Sequence, residues 1–169
     1  MAQGVCRLQG RFEKNIYEPS EKVKGDAIID NKDCNIACTT VRLAIEQEIC
    51  LKADGHVYKE MITLTKKEEP GVAANEPNPV YKFVEVDLNT IKFPAIESKT
   101  VRGVTKPYSP EDKYMMSRIQ AAAHGSLVKN EYFIAIRTEF DGCTCCDTTP
   151  LARTPLQVVP TGNPACFGF

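Results

Sequence analysis

From Val41 to Leu51 the chain alternates. Val41, Leu43, Ile45, Ile49 and Leu51 fall on one face and Arg42, Glu46 and Glu48 on the other. A period of two puts successive side chains on opposite faces of an extended backbone, so the segment predicts a strand with one face in a core. The charged positions are then expected to be exposed or at an interface. Six further segments follow the same period: 5–12, 22–29, 57–64, 81–88, 127–140 and 156–159. Turn-forming residues separate them, in Glu18-Pro19-Ser20, Asp30-Asn31-Lys32-Asp33, Ala53-Asp54-Gly55-His56 and Asp141-Gly142. Seven short strands with regular turns imply an all-β fold, an immunoglobulin-like antiparallel β-sandwich.

One stretch departs from the pattern. Ser109-Pro110-Glu111-Asp112 supplies an N-cap, a proline at the first helical position and acidic residues over the positive end of the helix dipole. A short helix to about Ala123 is expected, as an insertion between the fifth and sixth strands. Pro70 to Pro79 reads as a polar, proline-rich loop, and Lys66-Lys67-Glu68-Glu69 as a solvated loop. No internal repeat is visible.

A chain of 169 residues is long enough for one good core and short for two, so a single domain over residues 1–169 with a flexible tail from about 161 is expected. Lysine plus arginine number 21 against 22 for aspartate plus glutamate, a net charge of -1. No bulk attraction to nucleic acid follows, and nucleic acid is not an expected partner. No apolar run approaches the ~18 residues a membrane-spanning helix needs, and the N-terminus lacks a signal peptide's apolar stretch, so a cytoplasmic protein is expected.

In that setting eight cysteines read as reduced thiols or metal ligands rather than disulfides. Cys34-Asn35-Ile36-Ala37-Cys38 and Cys143-Thr144-Cys145-Cys146 give two close pairs. Strand alternation in a sandwich brings the loops after the second and sixth strands to the same end. Cys34, Cys38, Cys143 and Cys146 are therefore candidate ligands of one structural zinc ion, with Cys145 spare and Cys6, Cys50 and Cys166 elsewhere. The competing reading is that these are small buried hydrophobes. Cys166-Phe167-Gly168-Phe169 has the spacing of a prenylation signal, with Gly168 where an aliphatic residue is usual.

Catalytic chemistry has little to stand on. The two histidines, His56 and His124, lie in no nucleophile, phosphate-loop or metalloprotease pattern, and both read as solvated turn or strand-end residues. Asn78-Pro79-Val80-Tyr81 has the asparagine-proline-x-tyrosine form read by phosphotyrosine-binding-type domains. Asn78, Pro79 and Tyr81 are thus candidate protein-binding residues, against a reading as a turn into a strand that leaves Tyr81 half buried.

The order of these segments resembles the C-terminal domain of the arrestin family. The likeness is carried by the stretch from Gly10 to Val23, by Ile29-Asp30-Asn31, by Glu48-Ile49-Cys50-Leu51, by Gly125 to Ile136 and by Pro155-Leu156-Gln157-Val158-Val159-Pro160. It implies a non-enzymatic adaptor or scaffold that binds proteins, such as trafficking cargo, its adaptors or the subunits of a larger assembly. The alternative is a structural subunit of a cytoskeletal or ciliary assembly. Location at endomembranes or on the cytoskeleton or cilium would follow. The resemblance starts at the second of the family's two sandwiches, without the inter-domain polar core, so no strong preference for phosphorylated peptides is expected.

Overall fold

Alternation does set the sheets, and it runs longer than the sequence reading allowed. The computed structural model describes residues 4–94, 96–141 and 149–159. In chain order these form β1 (Gly4–Phe12), β2 (Ile16–Tyr17), β3 (Lys22–Cys34), β4 (Cys38–Ala53), β5 (His56–Val72) and β6 (Val80–Asp87). A 3₁₀ turn at Leu88–Thr90 follows, then β7 (Ser98–Val101), β8 (Val104–Pro107), helix α1 (Pro110–Met116), β9 (Ala123–His124), β10 (Val128–Phe140) and β11 (Leu151–Val158). Among the described residues no helix is long and apolar enough to cross a membrane.

Two sheets face each other. The smaller has the order β1-β3-β6, and the larger the order β2-β11-β10-β4-β5, with β9 added beside β10. Every pairing is antiparallel except that of β2 with β11, which is parallel. The hairpin of β7 and β8 stands apart. This is the all-β sandwich that the period of two implies.

The core lies between the sheets. Val23, Ala27 and Ile29 enter it from β3, Val84 and Val86 from β6, Val41, Leu43 and Ile45 from β4, and Ile134 and Ile136 from β10. Val41, Leu43 and Ile45 are each 0% exposed, so the expected core face of β4 holds over this stretch. Each such side chain contributes about 1.5–3 kcal/mol on leaving water. Between β1 and β11, Gly10 takes a position in which any Cβ would stand 2.5 Å from the Cβ of Ala152. A side chain there would push β1 and β11 apart.

Several boundaries move. Asp30 to Asp33 belong to β3 rather than to a turn. Asn31 is buried, and its side-chain amide donates to the Ile36 and Ala73 carbonyls at 3.0 and 2.8 Å, which lets a polar residue continue an inward-facing row. Lys66 to Glu69 and Pro70 lie within β5, paired with Ala44 to Thr40 of β4, so neither segment is a loop there. Pro70 is tolerated because β5 is an edge strand. The helix begins as expected, with the Ser109 hydroxyl accepting from the Asp112 N–H at 3.1 Å, and ends at Met116 rather than near Ala123. The chain leaves it to bury Ile119, 1% exposed, while the Arg118 guanidinium donates to the Pro19 carbonyl.

Candidate functional site

Cys34 closes β3 and Cys38 opens β4, and both are buried. Their thiols lie 3.5 Å from the Ile36 and Thr40 carbonyl oxygens, as donors. Cys6 is not elsewhere but beside them. It sits at an irregularity of β1 between Val5 and Arg7, and its thiol is pushed up to about 11 by burial, by Cys38 and Cys34, and by Asp30. Burial also pushes the Cys38 thiol up.

Phe140 pairs with Cys38, and the Asp141 N–H donates to the Ala37 carbonyl at 3.2 Å. The connection bearing Cys143 and Cys146 therefore starts beside Cys38. Those two cysteines lie outside the described residues, as do Cys145, Cys166 and the rest of the tail. Among the described residues no three histidine, cysteine, aspartate or glutamate side chains are arranged to hold a metal ion. The donor set suits zinc in kind, being thiols on a tight turn.

Asn78 and Pro79 are exposed and lead into β6. Tyr81 is 60% exposed rather than half buried, because it falls on the outer face of the small sheet, where its hydroxyl donates to Asp26. His56 opens β5 after the Asp54-Gly55 turn, whose φ angles of 49° and 78° suit a tight hairpin. His124 lies in β9, exposed, 3.8 Å from Glu131. The two histidines are on different elements, β5 and β9.

The outer face of the large sheet holds a cluster that the sequence reading missed. Glu46 was expected to be exposed or at an interface, yet its side chain is 2% exposed within the chain itself, while Ile45 behind it keeps the core register. Glu46 is covered rather than flipped: Arg137 of β10 places Nε and Nη2 at 2.8 and 2.7 Å from its Oε1, and Arg153 of β11 places Nε at 3.6 Å from its Oε2. The Arg153 guanidinium stacks 3.4 Å from the Phe133 ring centroid and reaches the Met61 sulfur at 3.3 Å. It also lies 3.8 Å from Glu48. Arg42 turns the other way, with Nη1 2.8 Å from Glu139 Oε1.

Beside this network runs an open groove of about 420 Å³, whose lining includes Arg42, Glu46, Met61, Thr63, Arg137 and Phe140. Two of its buried atoms, Arg42 Nε and Glu46 Oε2, have no hydrogen-bond partner among the described residues. The sequence signal for the cluster was Arg137, a charge directly after Ile134-Ala135-Ile136, but the partner of that charge lies 91 residues away.

A further surface feature is the far part of the hairpin made by β4 and β5. All residues from Leu51 to Met61 are exposed. Val128, Leu51 and Tyr58 form one row across three strands, on the face that continues the core, with 48%, 41% and 54% exposure.

No family model matches the sequence, and no curated protein matches it. Among solved structures the chain is similar to Spo0M, a sporulation control protein from Bacillus subtilis, at 14% identity and a TM-score of 0.54. The likeness covers 92% of this chain and 49% of the other, so the chain spans about half of that protein's length. Likeness at this level carries the fold and nothing finer, and the fold it carries is an arrestin-like β-sandwich.

Proposed function

We propose that this chain is a non-catalytic protein-binding module, an adaptor or scaffold of the arrestin-like class, and that an extended segment of its partner adds to the edge of β5. The observation that carries this reading is β5 itself. It is 17 residues long and ends its sheet. Among the described residues no strand pairs with its outer edge. An unpaired edge offers a row of backbone donors and acceptors to another strand, and the exposed Val57, Tyr58 and Met61 give it apolar purchase. The arrestin resemblance adds trafficking of membrane proteins as the setting.

The test compares native bait with a Val57→Asp, Met61→Asp bait of the same melting temperature, using cross-linking and mass spectrometry. Partners that cross-link to 56–72 in the native protein and vanish with the double variant support the reading. An identical set from both baits overturns it. Recovery of the chain at fixed stoichiometry in an insoluble filament replaces it with the structural-subunit alternative.

A further inference from the structure

We propose that the strand received at the edge of β5 carries an acidic side chain between two apolar ones at alternate positions, apolar-x-acidic-x-apolar, and that its carboxylate pairs with Lys59. This deepens the protein-binding reading and rests on it. Register and charge along β5 select the pattern.

Register comes from the ladder with β4. Val57, Lys59 and Met61 stand opposite Lys52, Cys50 and Glu48, so the three lie at every second position on the outer face of the large sheet. All three are exposed. A strand added antiparallel to β5 sets one side chain directly opposite each of them, and such cross-strand neighbours are the contacts by which a sheet discriminates between strands. Apolar residues suit the places opposite Val57 and Met61.

Charge decides the place between them. On its β4 side Lys59 meets Cys50, which offers no carboxylate. The acidic groups nearby are engaged elsewhere. Glu48 lies 3.8 Å from Arg153, Glu131 lies 2.6 Å from Lys129, and Glu60, on the other face, accepts from the Tyr58 hydroxyl at 2.8 Å. Lys66, further along β5, has Glu68 at 2.7 Å. Among the described residues Lys59 has no such partner, and its open side is the edge at which the strand arrives.

A lysine in that place is a guard. It discourages unselective pairing, because an incoming apolar strand would strip water from the ammonium group and give nothing in return. A carboxylate opposite Lys59 turns the obstacle into a contact, so the residue that rejects most strands admits this one.

The experiment is a titration of the isotope-labelled full chain, followed by backbone amide NMR, with the blocked peptide acetyl-Ser-Val-Thr-Glu-Thr-Val-Ser-amide. Two comparison peptides carry Gln or Lys in place of Glu. Saturable shifts along residues 56–62 are expected with the Glu peptide, binding about two- to fivefold weaker with the Gln peptide, and the weakest binding with the Lys peptide. In Lys59→Glu the order reverses, and in Lys59→Gln it flattens. Lost folding cannot produce a reversal, and Lys59 is exposed, so neither substitution touches the core. Salt at about 1 M should bring the three peptides of the native protein together.

Equal binding of the three peptides overturns the inference and leaves the β5-edge reading standing. An order that Lys59→Glu leaves unchanged does the same. If no peptide gives a saturable shift along 56–62 at millimolar concentration, the edge does not take up a strand, and both readings fall together.

Discussion

The two halves of the β4–β5 hairpin lie either side of an irregularity in β5, share the unbroken alternation of β4, and meet opposite fates. In the near half Val41, Leu43 and Ile45 are wholly buried, and in the far half Leu51 and Tyr58, on the same face, are 41% and 54% exposed. The difference lies in what stands opposite. β4 and β5 are 16 and 17 residues long, while β6 of the facing sheet is 8, so the hairpin outruns its cover. Periodicity decides which face a side chain occupies, and the length of the other layer decides whether that face is dry. On the outer face the logic inverts, since Glu46 is buried there by two arginines rather than by a second sheet.

That contrast breaks down if substitutions in the two halves cost the same. Ile45→Ala in the near half is expected to lower stability by about 2–5 kcal/mol, measured by urea unfolding. A cost below 1 kcal/mol would mean that the near half is not core. On the outer face, Glu46→Ala leaves Arg137 without its carboxylate and is expected to cost about 1–3 kcal/mol. The double variant Glu46→Ala, Arg137→Ala should cost less than the sum of the two single changes, and strict additivity would dissolve the pair.

The boundary between the halves can be sharpened by pH. Burial pushes the Tyr132 hydroxyl above the usual tyrosine value, and Tyr17 likewise. A neutral acid held protonated in the fold adds stability that is fully present below the unfolded value, about 10, and lost as pH rises through the folded one. Unfolding free energy should therefore fall above pH 10, and less so in Tyr132→Phe. An equal fall in both proteins would put the boundary elsewhere. The smallest effect is expected at the tip, where Leu51→Ala should change stability by no more than about 0.5 kcal/mol.

Fold class and strand faces were legible because alternation is local. What failed depended on distant partners. Asp30-Asn31-Lys32-Asp33 has turn chemistry, yet Asn31 stays in β3 because carbonyls at Ile36 and Ala73 receive its amide. The helix signal at Ser109 was sound, but nothing near Met116 announces that Ile119 must reach the core. The β7–β8 hairpin was overlooked although Arg102-Gly103, with φ angles of 51° and 79°, is a turn pair, because its flanks carry no apolar alternation. The site was read least well. Cys34 and Cys38 were found from spacing while Cys6 joined them only through the fold, and Glu46 was placed on the correct face with the wrong surroundings.

The parallel pairing of Ile16 and Tyr17 with Gln157 and Val158 has a consequence in time. The β4–β5 hairpin closes across a two-residue turn, whereas this ladder closes a loop of about 140 residues. A chain made from its N-terminus at about 5–20 residues per second holds the hairpin long before β11 exists. Tyr17, 1% exposed in the finished fold, must then wait on the order of 10 s for the strand that shelters it. During that interval the nascent protein presents an open seam where Ile16 and Tyr17 will meet Gln157 and Val158.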